Sequence, residues 1–158
     1  MKSPKQLGNE FEERVKNALT KQDYILIKKN QWMKNYKPEK DHATKREYDL
    51  VMYNTREGQF YVIECKAHFS AKNKVSLEQV VKFNHVSNNY GGRGAKKLIV
   101  TDTDLETKAK NYAQRYGIHH IDGKQLRQME EKPKMPVGQL CYSIFKTLMG
   151  KGHCHLCE

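Results

Sequence analysis

The run Phe60-Tyr61-Val62-Ile63-Glu64-Cys65-Lys66 sets a carboxylate and an ammonium two residues apart at the end of an otherwise apolar stretch. In a strand, Phe60, Val62, Glu64 and Lys66 share one face, and Tyr61, Ile63 and Cys65 share the other. Charged groups there are costly to bury unless they are paired or bind something. A second strand-like run, Tyr48 to Tyr53, carries Asp49 between Tyr48 and Leu50. If the two runs form a hairpin turning near Gly58, Asp49 comes to the same sheet end as Glu64. Two carboxylates at one sheet end make an oxygen-rich site suited to Mg²⁺, with Mn²⁺ an alternative. A divalent ion there polarises a phosphate and activates water, and Lys66 supplies charge stabilisation. Whether Lys66 also accepts a proton depends on a depressed pKa.

Two helical residues border this constellation. Glu12 lies beside the apolar stripe Leu7, Phe11, Val15, Ala18, Leu19 of a helix read from Leu7 to about Lys21. It either reaches the sheet edge or sits on the surface, favoured by the helix dipole. Gln79 lies in the first turn of a helix read from Ser76 to about Asn88. Its amide either holds water or phosphate, or closes the capping box Ser76-x-x-Gln79. Cys65 faces away from Glu64 and Lys66 and reads as a core residue.

The remaining elements must hold these groups in place. Tyr24 to Ile27 reads as a strand, and the basic, polar stretch Asn30 to Arg46 as a loop or irregular excursion. Lys97 to Thr101 is a strand buried on both faces. Thr103 to Tyr116 is a helix opened by a Thr103–Glu106 capping box and closed at Gly117. Ile118 to Ile121 is a strand, and Asp122-Gly123 turns into a helix ending near Met129. The fold class is α/β, a mixed central sheet flanked by helices. Residues 1–130 form the domain, and 131–158 hold a Pro133/Pro136 linker, a short amphipathic helix and a Cys/His tail.

The chain has 158 residues, 29 Lys+Arg against 18 Asp+Glu, and a formal net charge of +11. This excess points to a polyanionic partner, nucleic acid before an anionic membrane. No apolar run approaches the roughly 20 residues of a membrane span. The charged start lacks a signal-peptide pattern, and four scattered cysteines form no disulfide framework, so a cytoplasmic location is expected. Basic residues gather around the carboxylates: Lys28, Lys29, Lys34, Lys37, Lys40, Lys45 and Arg46 before Asp49, with Trp32 and Tyr36 among them. Lys72 and Lys74 follow the Glu-x-Lys run, and Arg93, Lys96 and Lys97 surround a glycine turn. Such residues contact phosphates and stack on bases. In the tail, Cys154 and Cys157 with His153 and His155 could ligate zinc, but a closed site needs a second pair, and only Cys141 remains.

These features together resemble the PD-(D/E)xK nuclease superfamily, and most closely the catalytic domain of Mrr-type restriction endonucleases, over roughly Leu7 to Met129. Gly8-Asn9-Glu10-Phe11-Glu12 is similar to the family's opening helix, Tyr48-Asp49-Leu50-Val51 to its metal-binding segment, and Ile63-Glu64-Cys65-Lys66 to its Glu-x-Lys. The stretch LIVTDTDLETKAKNYAQRYGIHHIDGKQLRQM is similar to its later strand, helix and strand. The resemblance implies a restriction-endonuclease-like αβββαβ core and a Mg²⁺-dependent endonuclease acting on DNA, with RNA the alternative substrate. Asp49 and Glu64 would bind the metal, joined by the Cys65 carbonyl, and Lys66 would be the catalytic lysine. Glu12 and Gln79 match assisting positions in related nucleases, including archaeal Holliday junction resolvases. Lys45, Arg46, Lys72, Lys74 and Arg93 would meet the nucleic acid. Cutting both strands of a duplex would call for a homodimer. The segment before Asp49, Thr44 to Tyr48, lacks the glycine-rich lead-in of many relatives, and sequence specificity from a separate DNA-reading domain is not expected. Two other readings stand beside this one: a non-catalytic nucleic-acid-binding module of the same fold, and a junction-resolvase-like, structure-selective nuclease.

Overall fold

The computed structural model describes residues 2–34, 45–68, 73–88 and 94–131. The first helix, α1 (Pro4–Thr20), starts ahead of the expected Leu7 because Ser3 caps it. The Ser3 hydroxyl accepts from the Gln6 N–H, and the Gln6 side chain accepts in return from the Ser3 N–H. Strands β1 (Tyr24–Lys34), β2 (Lys45–Asn54) and β3 (Gln59–Lys66) follow as an antiparallel meander. Gly58, with φ of 67°, makes the β2–β3 turn that the sequence places there. Then come α2 (Leu77–Ser87), β4 (Lys96–Thr101), α3 (Thr107–Arg115), β5 (Ile118–Ile121) and α4 (Gly123–Glu131). β4 runs parallel to β3, and β5 parallel to β4, giving one five-stranded mixed sheet of order β1-β2-β3-β4-β5.

Alternation along the strands sends side chains to two cores. On one face Phe11, Val15 and Leu19 of α1 and Leu126 of α4 pack with Leu50, Met52, Ile63, Leu98 and Val100. On the other, Val80 and Phe83 of α2 and Ala109 and Ala113 of α3 pack with Val51, Val62 and Ile99. Consecutive Leu98, Ile99 and Val100 thus serve both cores, as the apolar run of β4 requires. Each fully buried aliphatic side chain here contributes about 1.5–3 kcal/mol by leaving water.

Two expectations are corrected. The stretch from Asn30 to Arg46 is not wholly a loop: β1 continues to Lys34 and β2 begins at Lys45, paired from Gln31↔Tyr48 to Lys34↔Lys45. β1 is an edge strand, so its outer residues need no apolar alternation to stay in the ladder. The Thr103–Glu106 capping box does not form. Leu105 instead bridges to Val75, with the Val75 N–H donating to Asp104 O and the Glu106 N–H to Val75 O. Backbone pairing holds this segment extended, and α3 starts only at Thr107, without a side-chain cap. Residues 132–158, with Cys141, Cys154, Cys157 and the amphipathic segment, lie outside the described residues. Among those described, no helix is long and apolar enough to cross a membrane.

Candidate active site

The β2–β3 ladder runs from Asn54↔Gln59 to Leu50↔Ile63. Beyond it, the Asp49 side chain takes over from the backbone: the Cys65 N–H donates to Asp49 Oδ2 at 2.6 Å. The alternation of β2 breaks at this point. Tyr48 packs in the core of Val51 rather than that of Leu50, and its hydroxyl donates to Val86 O at 2.6 Å. Asp49 is therefore fixed from both sides, by an amide of β3 and by an anchored aromatic neighbour. Glu64 and Lys66 share a face of β3 as alternation requires, with Lys66 Nζ 2.6 Å from Glu64 Oε1 and side chains 32% and 19% exposed for Lys66 and Glu64.

The charges are unevenly compensated. Burial, followed by the negative charge of Glu64, pushes the Asp49 carboxyl up to about 7; Glu12 adds to this, while the Cys65 N–H and Lys66 oppose it. Burial alone would lower the pKa of Lys66, but the charge and hydrogen bond of Glu64 outweigh it, and the net shift is upward. Lys66 is thus held as an ammonium beside Glu64. Burial first, and then Asp49, Glu12 and Glu64, push the Cys65 thiol well up, so it is no thiolate nucleophile.

Glu12 joins the group from α1. Its side chain is 15% exposed, and Oε2 lies 3.4 Å from Lys29 Nζ but accepts no hydrogen bond. This is a buried oxygen with incomplete neutralisation, in the same electrostatic field as Asp49. The long-range Lys29 contact carried no local signal in the sequence.

Gln79 is engaged in its capping box: the Ser76 N–H donates to Gln79 Oε1 at 2.9 Å, and Gln79 N–H to Ser76 Oγ at 3.4 Å. Lys74 is exposed on the segment leading to α2. Lys45 and Arg46 are placed as backbone positions in β2. Lys72 and Arg93 lie outside the described residues. Some of the surrounding cations are already committed. Lys29 faces Glu12 and Glu13, Lys96 pairs with Glu57 at 2.7 Å, and Lys97 Nζ donates to Asn84 Oδ1 at 2.6 Å. His68, just past Lys66, has its Nε2 buried without a hydrogen-bond partner.

The donor set fits a hard divalent cation. Asp49 and Glu64 are carboxylates whose mutual repulsion a cation would relieve, and Glu12 Oε2 lacks a donor. Among the described residues, no three or more His, Cys, Asp or Glu side chains form a cage for a metal ion. That is compatible with Mg²⁺, which is commonly held by one or two carboxylates and completes its shell with water and substrate oxygens.

Residues 5–129 match the family model described as restriction endonuclease, the Mrr catalytic domain. No curated protein matches the chain. Among solved structures, the chain is similar to the protein of unknown function AF1548 (21% identity, TM-score 0.58, covering 87% of this chain and 66% of that one). It is also similar to Can2 from Sulfobacillus thermosulfidooxidans, solved with cyclic tetra-adenylate (23%, TM-score 0.57, 78% of this chain and 34% of that one). The MspJI restriction endonuclease with a 27-mer oligonucleotide is a third (17%, TM-score 0.52, 91% of this chain and 32% of that one). The chain thus spans about a third of the length of the last two. At these identities the structural likeness shows a shared restriction-endonuclease-like fold.

Proposed function

The chain belongs to the Mrr catalytic-domain family of restriction endonucleases, and from that premise we propose that it is a divalent-metal-dependent endonuclease hydrolysing DNA phosphodiesters. The observation that carries this reading is the meeting of Asp49, Glu64 and Lys66 where β2 and β3 part, with more acid than the surrounding cations neutralise. Asp49 and Glu64, with the Cys65 carbonyl, would hold Mg²⁺ or Mn²⁺. Bound there, the ion would polarise the phosphate and lower the pKa of a water.

The chain's own groups do the rest. The Cys65 N–H fixes Asp49, so its carboxylate need not reorganise during turnover. Lys66, held protonated by Glu64, stands ready to offset charge on the phosphoryl oxygens as water attacks phosphorus and an ester oxygen leaves. The products are one phosphate monoester and one hydroxyl end. Glu12 adds negative potential that favours cation capture and is positioned by Lys29. Gln79 serves first as a helix cap; a second role at the phosphate would use the part of its amide that the cap leaves over. Lys45, Arg46, Lys72, Lys74 and Arg93 would track the backbone of the DNA, and two copies would cut both strands. The setting is the cytoplasm, in restriction or DNA processing, and MspJI, a restriction enzyme sharing the fold, is seen with an oligonucleotide.

Purified protein incubated with plasmid and single-stranded DNA should cut in Mg²⁺ and not in EDTA, and Glu64→Ala should be inactive. Equal cleavage by the variant would overturn the assigned site; binding without cleavage in every metal would favour a non-catalytic module.

A further inference from the structure

A cleft of about 520 Å³ opens at the C-terminal ends of the parallel strands β3, β4 and β5, next to the carboxylate site. Strand ends of this kind are where open α/β sheets bind ligands. Its wall begins with His68, at most about 7 Å from Lys66 along the chain. The floor is unusually close-packed. Gly123 N–H donates to Thr103 O at 2.8 Å, and a Cβ on Gly123 would fall 1.9 Å from Asp102 O, so only glycine lets α4 approach this loop.

The lining mixes signs, but the two signs are not equally free. Asp102 accepts the His68 N–H at 2.7 Å, Asp104 takes Lys110 Nζ at 2.6 Å, and Asp122 takes the Gln125 N–H at 2.8 Å. The cations Lys74, Lys124 and Arg127 have no ion pair or hydrogen bond among the described residues. Lys124 and Arg127 stand one turn apart on the same side of α4. His68 Nε2 is buried with no partner. With Asp104 neutralised by Lys110, three unpaired cations face two unpaired carboxylates, Asp102 and Asp122, and this net positive lining suits an anion.

We propose that this cleft holds a phosphate flanking the scissile one on the substrate strand, contacted by Lys74, Lys124 and Arg127. The identity of the anion rests on the nuclease reading above; the presence of an anion receptor does not. The cleft would make cleavage depend on the strand continuing past the cut in that direction, and Lys124 and Arg127 are positions that sequence reasoning did not assign.

The test uses the full chain carrying Glu64→Ala, so that a labelled DNA oligonucleotide is bound without being cut, and fluorescence anisotropy across a salt series. Adding Lys124→Gln with Arg127→Gln should flatten the slope of log K against log salt by about one unit, the mark of a lost phosphate contact. Adding Lys5→Gln with Lys82→Gln, exposed cations that do not line the cleft, should leave it unchanged. In the active chain the cleft pair should raise KM about tenfold, with kcat within about twofold. Equal slopes for the two pairs, or no binding by the Glu64→Ala chain, would overturn the proposal. If the nuclease reading alone fails, no form cuts DNA while the slopes still differ; if the cleft alone fails, the cleft pair cuts with an unchanged KM.

Discussion

The two ends of β3 use the same residue types to opposite effect. At the entry, Glu57 and Lys96 pair at 2.7 Å, both more than 40% exposed, and the Tyr61 hydroxyl donates to Glu57 as well. The hydrogen bonds from Lys96 and then Tyr61 lower the Glu57 carboxyl pKa. At the exit, Glu64 and Lys66 pair at 2.6 Å, but half-buried and beside Asp49 and Glu12. There burial and like charge drive Asp49 up to about 7. A salt bridge alone therefore says little about function. What separates the two ends is whether the surrounding groups complete the neutralisation or leave it open for a ligand.

The comparison breaks most visibly in activity. Glu64→Ala and Asp49→Asn should each reduce cleavage on the order of a thousandfold, while Glu57→Gln stays within about twofold, measured as single-turnover rates on one duplex. A comparable loss in Glu57→Gln would erase the distinction. Lys66→Ala should cost about a hundredfold in rate. Lys96→Ala should leave the rate alone and cost under about 1 kcal/mol of stability, as exposed pairs do.

Packing separates the ends too. Gly123→Ala must push a Cβ into the Asp102 carbonyl and should cost about 2–4 kcal/mol by denaturant titration. Gly58→Ala at the other end meets nothing nearer than Tyr53 Oη at 3.7 Å and should cost about 1 kcal/mol, from its φ of 67° alone.

The smallest effect is in pH dependence, and its sign differs between the ends. The folded protein holds a proton on Asp49 that the unfolded chain releases between its usual 3.8 and about 7. In chelator, stability should fall as pH rises through that window, and Asp49→Asn should recover about 1–2 kcal/mol above it. The lowered pKa of Glu57 works the other way, its stabilisation being present above the usual 4.5 and fading as pH falls. Thermal melts of both variants across pH check the two signs; a decline that survives in Asp49→Asn would mean another group carries it.

The sequence disclosed what local periodicity controls. The face shared by Glu64 and Lys66, the turn at Gly58, the helix end at Gly117 and the Ser76–Gln79 cap follow from alternation, backbone freedom and neighbouring side chains, and each is present. The polar outer half of β1 was hidden because an edge strand is held by its ladder to β2 rather than by apolar pattern. The Thr103–Glu106 signal misled because a distant partner, Val75, competed for the same backbone. Within the site, Asp49, Glu64 and Lys66 were legible by spacing. The Lys29–Glu12 contact, the break in β2 at Tyr48 and the cleft behind His68 were not, since each joins segments far apart in the chain.

The amide that steadies Asp49 belongs to the main chain of Cys65 and not to its sulfur. Any amino acid but proline carries that hydrogen, so the middle letter of the Glu-x-Lys triplet is free to drift with the demands of the neighbouring hydrophobic layer. Serine, alanine or valine there keeps the tether; proline cuts it and turns a fixed carboxylate into a wandering one.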